Sequence, residues 1–174
     1  MICNAAELSV QSLRVSSEVI PTESIKLCAD TETLSVGLSS PLAAGSEVEM
    51  SITFQGELND KMKGLYRSKY VKDGKDRYIA TSQFEATDAR RCFPCWDEPA
   101  AKATFSVSII APKDRTVHSN MEETKESDAG MDEMSAGEVT DAHKLVCFNQ
   151  SPIMSTYLLA IIVGDFESLD VSHA

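Results

Sequence analysis

The chain has 174 residues, of which 43% are hydrophobic and 25% charged, which suits one folded domain and excludes a wholly disordered chain. Lys and Arg total 16 against 27 Asp and Glu, a net charge of −11. Such a field repels polyanions, so the composition argues against nucleic acid and anionic membranes as partners.

The chain opens as β-structure. Leu8 and Val10, then Leu13 and Val15, flank a polar break. Ile25 to Ala29 is a short strand. Leu34, Val36 and Leu38 alternate with small residues, and Val48, Met50, Ile52 and Phe54 alternate with polar ones. Period-two alternation predicts strands with one buried and one wet face. Pro41 to Gly45 is a loop between the last two. Gly64 to Tyr70 and Arg77 to Ser82 bracket Lys72-Asp73-Gly74-Lys75, and Asp-Gly between such arms predicts a tight hairpin.

Glu85 to Arg91 is the one helical segment, kept short by Pro94 and Pro99. Phe105 to Ala111 predicts a strand ended by Pro112. Leu145 to Phe148 and Tyr157 to Val163 predict two more. Many short strands with turns between them predict an all-β antiparallel sandwich or saddle. Met121 to Ala142 differs: its eight acids and one lysine hold −7 of the total charge. This acidic stretch, residues 121–142, is expected to be a mobile loop or long hairpin connection.

No apolar run reaches the roughly 18 residues of a membrane span. The start, Met1 to Glu7, lacks the basic and apolar pattern of a secretory signal. Five cysteines, an odd number, then favour free thiols in a reducing compartment, and a cytoplasmic location is expected.

Cys92-Phe93-Pro94-Cys95 forms a C-x-x-C pair. Structural packing, redox chemistry and metal binding are all open to such a pair. Cys3, Cys28 and Cys147 are isolated, and His118, His143 and His173 lack the spacing of a helical zinc site. There is no G-x-S-x-G, no phosphate-binding glycine loop and no H-E-x-x-H. No catalytic residue and no metal ligand are therefore assigned, and the chain by itself is expected to be inactive, with no cofactor of its own. The densest group of chemistry-bearing residues runs from Ser82 to Phe105 and holds the only Trp. Buried charge needs a partner, and here Arg90, Arg91 and Lys102 are expected to pair with Asp88, Asp97 and Glu98.

That same segment carries a resemblance. Gln83-Phe84-Glu85-Ala86-Thr87-Asp88-Ala89-Arg90, followed by Phe93-Pro94-Cys95-Trp96-Asp97-Glu98-Pro99 and Ala100 to Phe105, resembles the N-terminal domain of the aminopeptidase N family of zinc metallopeptidases. Gly56 to Tyr70, Met154 to Ala160 and Val163-Gly164-Asp165-Phe166 resemble it too, and the puromycin-sensitive branch is nearest. The resemblance implies a β-rich saddle packed over a zinc-bearing catalytic domain that this chain does not contain. It implies that the whole chain, 1–174, is one such domain, trimmed at both ends and without its first strands. It further implies that Glu85 binds the α-amino group of a peptide substrate and that Gln83 lines the pocket for the first side chain. The partners implied are a peptide N-terminus and the missing catalytic domain. A stand-alone, catalytically dead module that binds peptides or a protein is the competing expectation.

Overall fold

The computed structural model describes residues 1–129 and 140–166, and the fold is all-β and antiparallel in the manner of a sandwich. Among the described residues there are thirteen strands in four sheets. In chain order they are β1 (Ile2–Asn4), β2 (Leu8–Val15), β3 (Glu18–Val19), β4 (Ile25–Cys28), β5 (Thr33–Val36), β6 (Met50–Gly56) and β7 (Gly64–Lys72). Then come β8 (Lys75–Gln83), β9 (Ser108–Pro112), β10 (Thr116–Ser119), β11 (Glu123–Asp128), β12 (His143–Phe148) and β13 (Ile161–Gly164). The sheets run β1-β5-β4, β3-β2-β6, β10-β13-β8-β7 and β11-β12-β9. No helix of the described residues is long and apolar enough to cross a membrane.

The polar break in the first strand is a β-bulge. Strand β2 pairs with β6 from Leu8 opposite Gly56 to Val15 opposite Met50, and the register shifts between Val10 and Ser12. The extra residue inverts the alternation, so Leu8 on one side and Leu13 and Val15 on the other all reach one core. That core also takes Cys3, Ala5, Ile20, Leu34 and Val36. Strands β7 and β8 form the longest hairpin, joined by Asp73 and Gly74 at φ 52° and 70°. Both values lie in the left-handed region that an Asp-Gly turn requires.

Three expectations change. The segment Glu85 to Arg91 is not a helix: one bond from Asp88 N–H to the Phe84 carbonyl leads into a 3₁₀ turn at Ala89–Arg91. Phe84 and Ala89 are both buried, while the two arginines between Ala89 and Cys92 are drawn to carboxylates elsewhere. Tyr157 to Val163 is likewise not one strand. Thr156–Leu158 is a 3₁₀ turn, and β13 starts at Ile161. Asn120 replaces the missing ladder, donating to the Leu158 carbonyl and accepting from Ala160 N–H, each at 2.8 Å. The strand predicted from Phe105 begins only at Ser108, because Phe105 N–H bonds the Ser151 hydroxyl instead.

Within the acidic stretch, Glu123–Asp128 is strand β11, at the edge of its sheet and paired with β12. Lys144 and Lys113 take Glu126 and Asp128 as partners. A charged edge strand discourages pairing with another chain. Residues 130–139 of that stretch lie outside the described residues.

Candidate substrate-anchoring site

Strand β8 ends at Gln83, opposite Gly64 of β7. The next residue, Phe84, is 2% exposed and packs with Ala89, Cys95 and Leu159. Its ring meets Phe93 edge-on at 6.1 Å. Residues on either side of a buried one in extended chain face the other way. Gln83 and Glu85 accordingly stand exposed on either side of Phe84. Neither side chain has a hydrogen-bond or ion-pair partner among the described residues. The peptide bond from Glu85 to Ala86 is cis.

The charges around this turn are paired. Arg91 bonds Asp88 at 2.9 Å, Glu32 at 2.6 Å and Glu7 at 2.9 Å. Arg90 bonds the buried Asp97 at 3.0 Å and Glu32 at 3.2 Å. Burial works against the Arg91 charge, but Asp88, Glu32 and Glu7 more than offset it and raise its pKa. Of the cations and carboxylates expected to pair as a set, Arg90 takes Asp97 and Arg91 takes Asp88. Lys102 and Glu98 make no ion pair among the described residues; both are exposed, on a turn closed by the Glu98 carbonyl. Glu7 and Glu32 cannot be recognised as partners from the sequence, because they lie 84 and 59 residues from Arg91. Both have positive φ, 57° and 49°, a placement that nothing in the residues beside them announces.

Backbone bonds close the same junction. Asn4 and Cys95 exchange N–H and carbonyl bonds, Ala6 N–H reaches the Arg90 carbonyl, and Ala5 N–H reaches the Glu32 carbonyl. From below, Gly64 supports the turn at φ 69°, where an added Cβ would stand 2.7 Å from Arg91 Cβ. Only glycine accepts both that angle and that approach.

The C-x-x-C pair sits behind Phe84. Burial pushes the Cys92 thiol up to about 12, and burial, with Asp97 and Cys3 nearby, does the same for Cys95. A thiol at that value is protonated and unreactive at neutral pH, so packing is the role these surroundings suit. Cys28 is the contrast: it is exposed, and hydrogen bonding from Thr31 lowers its pKa. Iodoacetamide at pH 8 should therefore label Cys28 first and reach Cys92 and Cys95 only on unfolding, as peptide mapping by mass would check. The same shifts have a pH signature. Folded values above the unfolded value of 9.0 leave stability intact below pH 9 and withdraw it as pH rises toward 12. Among the described residues no three His, Cys, Asp or Glu side chains are grouped to hold a metal ion. The described residues thus do not fit the zinc of the resembled family.

Comparison with known proteins agrees with a β-rich N-terminal domain. The family model for the peptidase M1 N-terminal domain matches residues 1–158. Aminopeptidase M1-B of Oryza sativa subsp. japonica is 42% identical over 173 residues, covering 99% of this chain and 18% of that protein. Aminopeptidase N of Bos taurus is 46% identical over 153 residues, covering 88% of this chain and 15% of that protein. Aminopeptidase M1 of Arabidopsis thaliana is 41% identical, covering 98% of this chain and 19% of that protein. The chain thus spans under a fifth of the length of these curated relatives. With nine-tenths of its residues inside the family match, this chain belongs to the peptidase M1 N-terminal domain family.

Proposed function

We propose that the chain is the non-catalytic N-terminal domain of a zinc aminopeptidase, and that it anchors the free N-terminus of a peptide for a catalytic domain carried elsewhere. Glu85 is the residue that binds the α-ammonium group, and Gln83 lines the pocket for the first side chain. The observation that carries this reading is an exposed Glu85, without a side-chain partner among the described residues, on a turn whose neighbouring carboxylates Glu7, Glu32, Asp88 and Asp97 are all engaged. A carboxylate kept free of internal cations is available to an incoming ammonium, and the pair strengthens once water is excluded. Gln83 can donate and accept hydrogen bonds there without adding charge.

Exposed Trp96, Ile153 and Leu158 support a covered face near the same turn. Thr156 bonds the Trp96 carbonyl and Ser155 the Pro99 carbonyl, so these apolar groups belong to adjoining segments. Its chemistry suits the catalytic domain as partner. Five free thiols suit a reducing compartment, and the cytoplasm is the location proposed.

The test is kinetic. In the full-length protein that carries this chain, Glu85→Ala should raise KM for an aminoacyl anilide about 10- to 100-fold, the equivalent of a charge-assisted hydrogen bond of about 1.5–3 kcal/mol. Glu85→Gln should recover only part of the loss. An unchanged KM removes the role given to Glu85. The 174-residue chain alone should not hydrolyse the anilide, and chelator-sensitive hydrolysis by it would sink the non-catalytic assignment.

A further inference from the structure

We infer that Arg91 is a positioning residue for Glu85, with Glu32 as its main counter-charge: together they fix the turn that presents the anchoring carboxylate. The inference rests on the proposed role of Glu85 and adds what holds it in place. Glu85 lies in the short connection between buried Phe84 and buried Ala89, and it makes no side-chain bond of its own among the described residues. Its position is therefore set by the two ends of that connection.

One end is fixed by Phe84 in the core. The other is fixed by charge. Asp88 N–H closes back onto the Phe84 carbonyl at 2.9 Å, and the Asp88 carboxylate is gripped by Arg91 Nε at 2.9 Å. The remaining nitrogens of the same guanidinium reach away from the turn, Nη2 to Glu32 at 2.6 Å and Nη1 to Glu7 at 2.9 Å. Glu32 lies between β4 and β5, and Glu7 between β1 and β2. One planar cation thus ties the Glu85 turn to two separate parts of the other sheets. A guanidinium suits this work because its donors leave in fixed directions from one plane. Gly64 adds an independent constraint, since its bare Cα lets the Arg91 backbone settle against β7.

Loss of this grip should move the anchor without removing it. Misplacement by about 1 Å is enough to cost on the order of 100-fold where binding groups must align. The experiment uses the full-length protein and two probes: an aminoacyl anilide, which carries a free amine, and an acyl hydroxamate lacking the amine, which binds the metal alone. Arg91→Gln should raise KM for the anilide about tenfold or more and leave the hydroxamate Ki unchanged. Arg91→Lys should recover little, because an ammonium cannot span three carboxylates in one plane. Glu32→Gln, a milder change at a partly exposed residue, should act in the same direction and guards against Arg91→Gln failing to fold. In the background of Glu85→Ala, either change should add nothing further to KM.

A KM that rises with Glu85→Ala but not with Arg91→Gln or Glu32→Gln overturns the positioning role and leaves the anchor intact. Equal losses for anilide and hydroxamate overturn it as well, since they report general damage. A KM indifferent to Glu85→Ala overturns the anchor itself, and the positioning role with it.

Discussion

Asp97→Ala should lower the stability of the 174-residue chain by about 3 kcal/mol, near the lower end of the 3–5 kcal/mol typical when one partner of a buried ion pair is removed. Asp97 is 2% exposed and accepts from both the backbone N–H and Nε of Arg90, at 3.3 Å and 3.0 Å. Its own N–H donates to the Asn4 side chain at 3.1 Å. Truncation leaves the Arg90 guanidinium, 13% exposed, with Glu32 at 3.2 Å as its remaining counter-charge. That surviving partner places the effect at the low end of the range. Asp97→Asn keeps an acceptor while removing the charge, and should cost about 1–3 kcal/mol. Urea unfolding measures both. With a slope of about 1–3 kcal/mol/M, Asp97→Ala should shift the midpoint down by about 1–3 M at unchanged slope. A loss below about 1 kcal/mol would mean that Arg90 is rehydrated at little cost and that the pair is not a structural hub.

The fold was legible where local rules act alone. Alternation locates β2, β5 and β6 to within a few residues, and Asp73-Gly74 places the hairpin of β7 and β8, because backbone conformation there depends on residues in immediate contact. The legible part stopped where a distant side chain replaces a ladder. Nothing near Leu158 shows that Asn120 takes up its carbonyl, so a β-rich apolar run there reads as one strand when it is a turn and a strand. Strands β1 and β3 are three and two residues long, too short for periodicity to register.

The site divides the same way. Gln83 and Glu85 were reached through a resemblance in a continuous motif, and the structure places both exposed about Phe84. The sequence shows that the arginines need partners, and Asp88 and Asp97 are legible as candidates because they lie close by. Glu7 and Glu32 are not legible, since sheet packing alone brings them to Arg91. Charge balance within a motif cannot reveal counter-charges contributed by other strands.

Phe84→Ala should be the most damaging single truncation in the segment that carries the proposed anchor Glu85. Removal of a buried Phe side chain typically costs about 3–5 kcal/mol, from lost transfer energy and from the cavity left behind. Here collapse is resisted on each side. Phe93 stands edge-on to the ring, Leu159 follows a 3₁₀ turn, and Cys95 is bound to Asn4 through two backbone hydrogen bonds. The upper half of the range is therefore expected, with Phe84→Leu costing under about 2 kcal/mol because it keeps most of the volume. The consequence reaches the site. Phe84 separates Gln83 from Glu85 and is buried in the core, while at the far end of the same connection Arg91 holds Asp88. At a temperature where the full-length variant stays folded, Phe84→Leu should raise KM for a free-amine substrate several-fold while barely moving the affinity of the amine-free hydroxamate. Equal losses for the two probes would mean that Phe84 holds up the domain and does nothing particular for the proposed anchor. A stability loss below about 2 kcal/mol for Phe84→Ala would mean that the pocket closes around the smaller side chain, and that this turn is softer than its packing indicates.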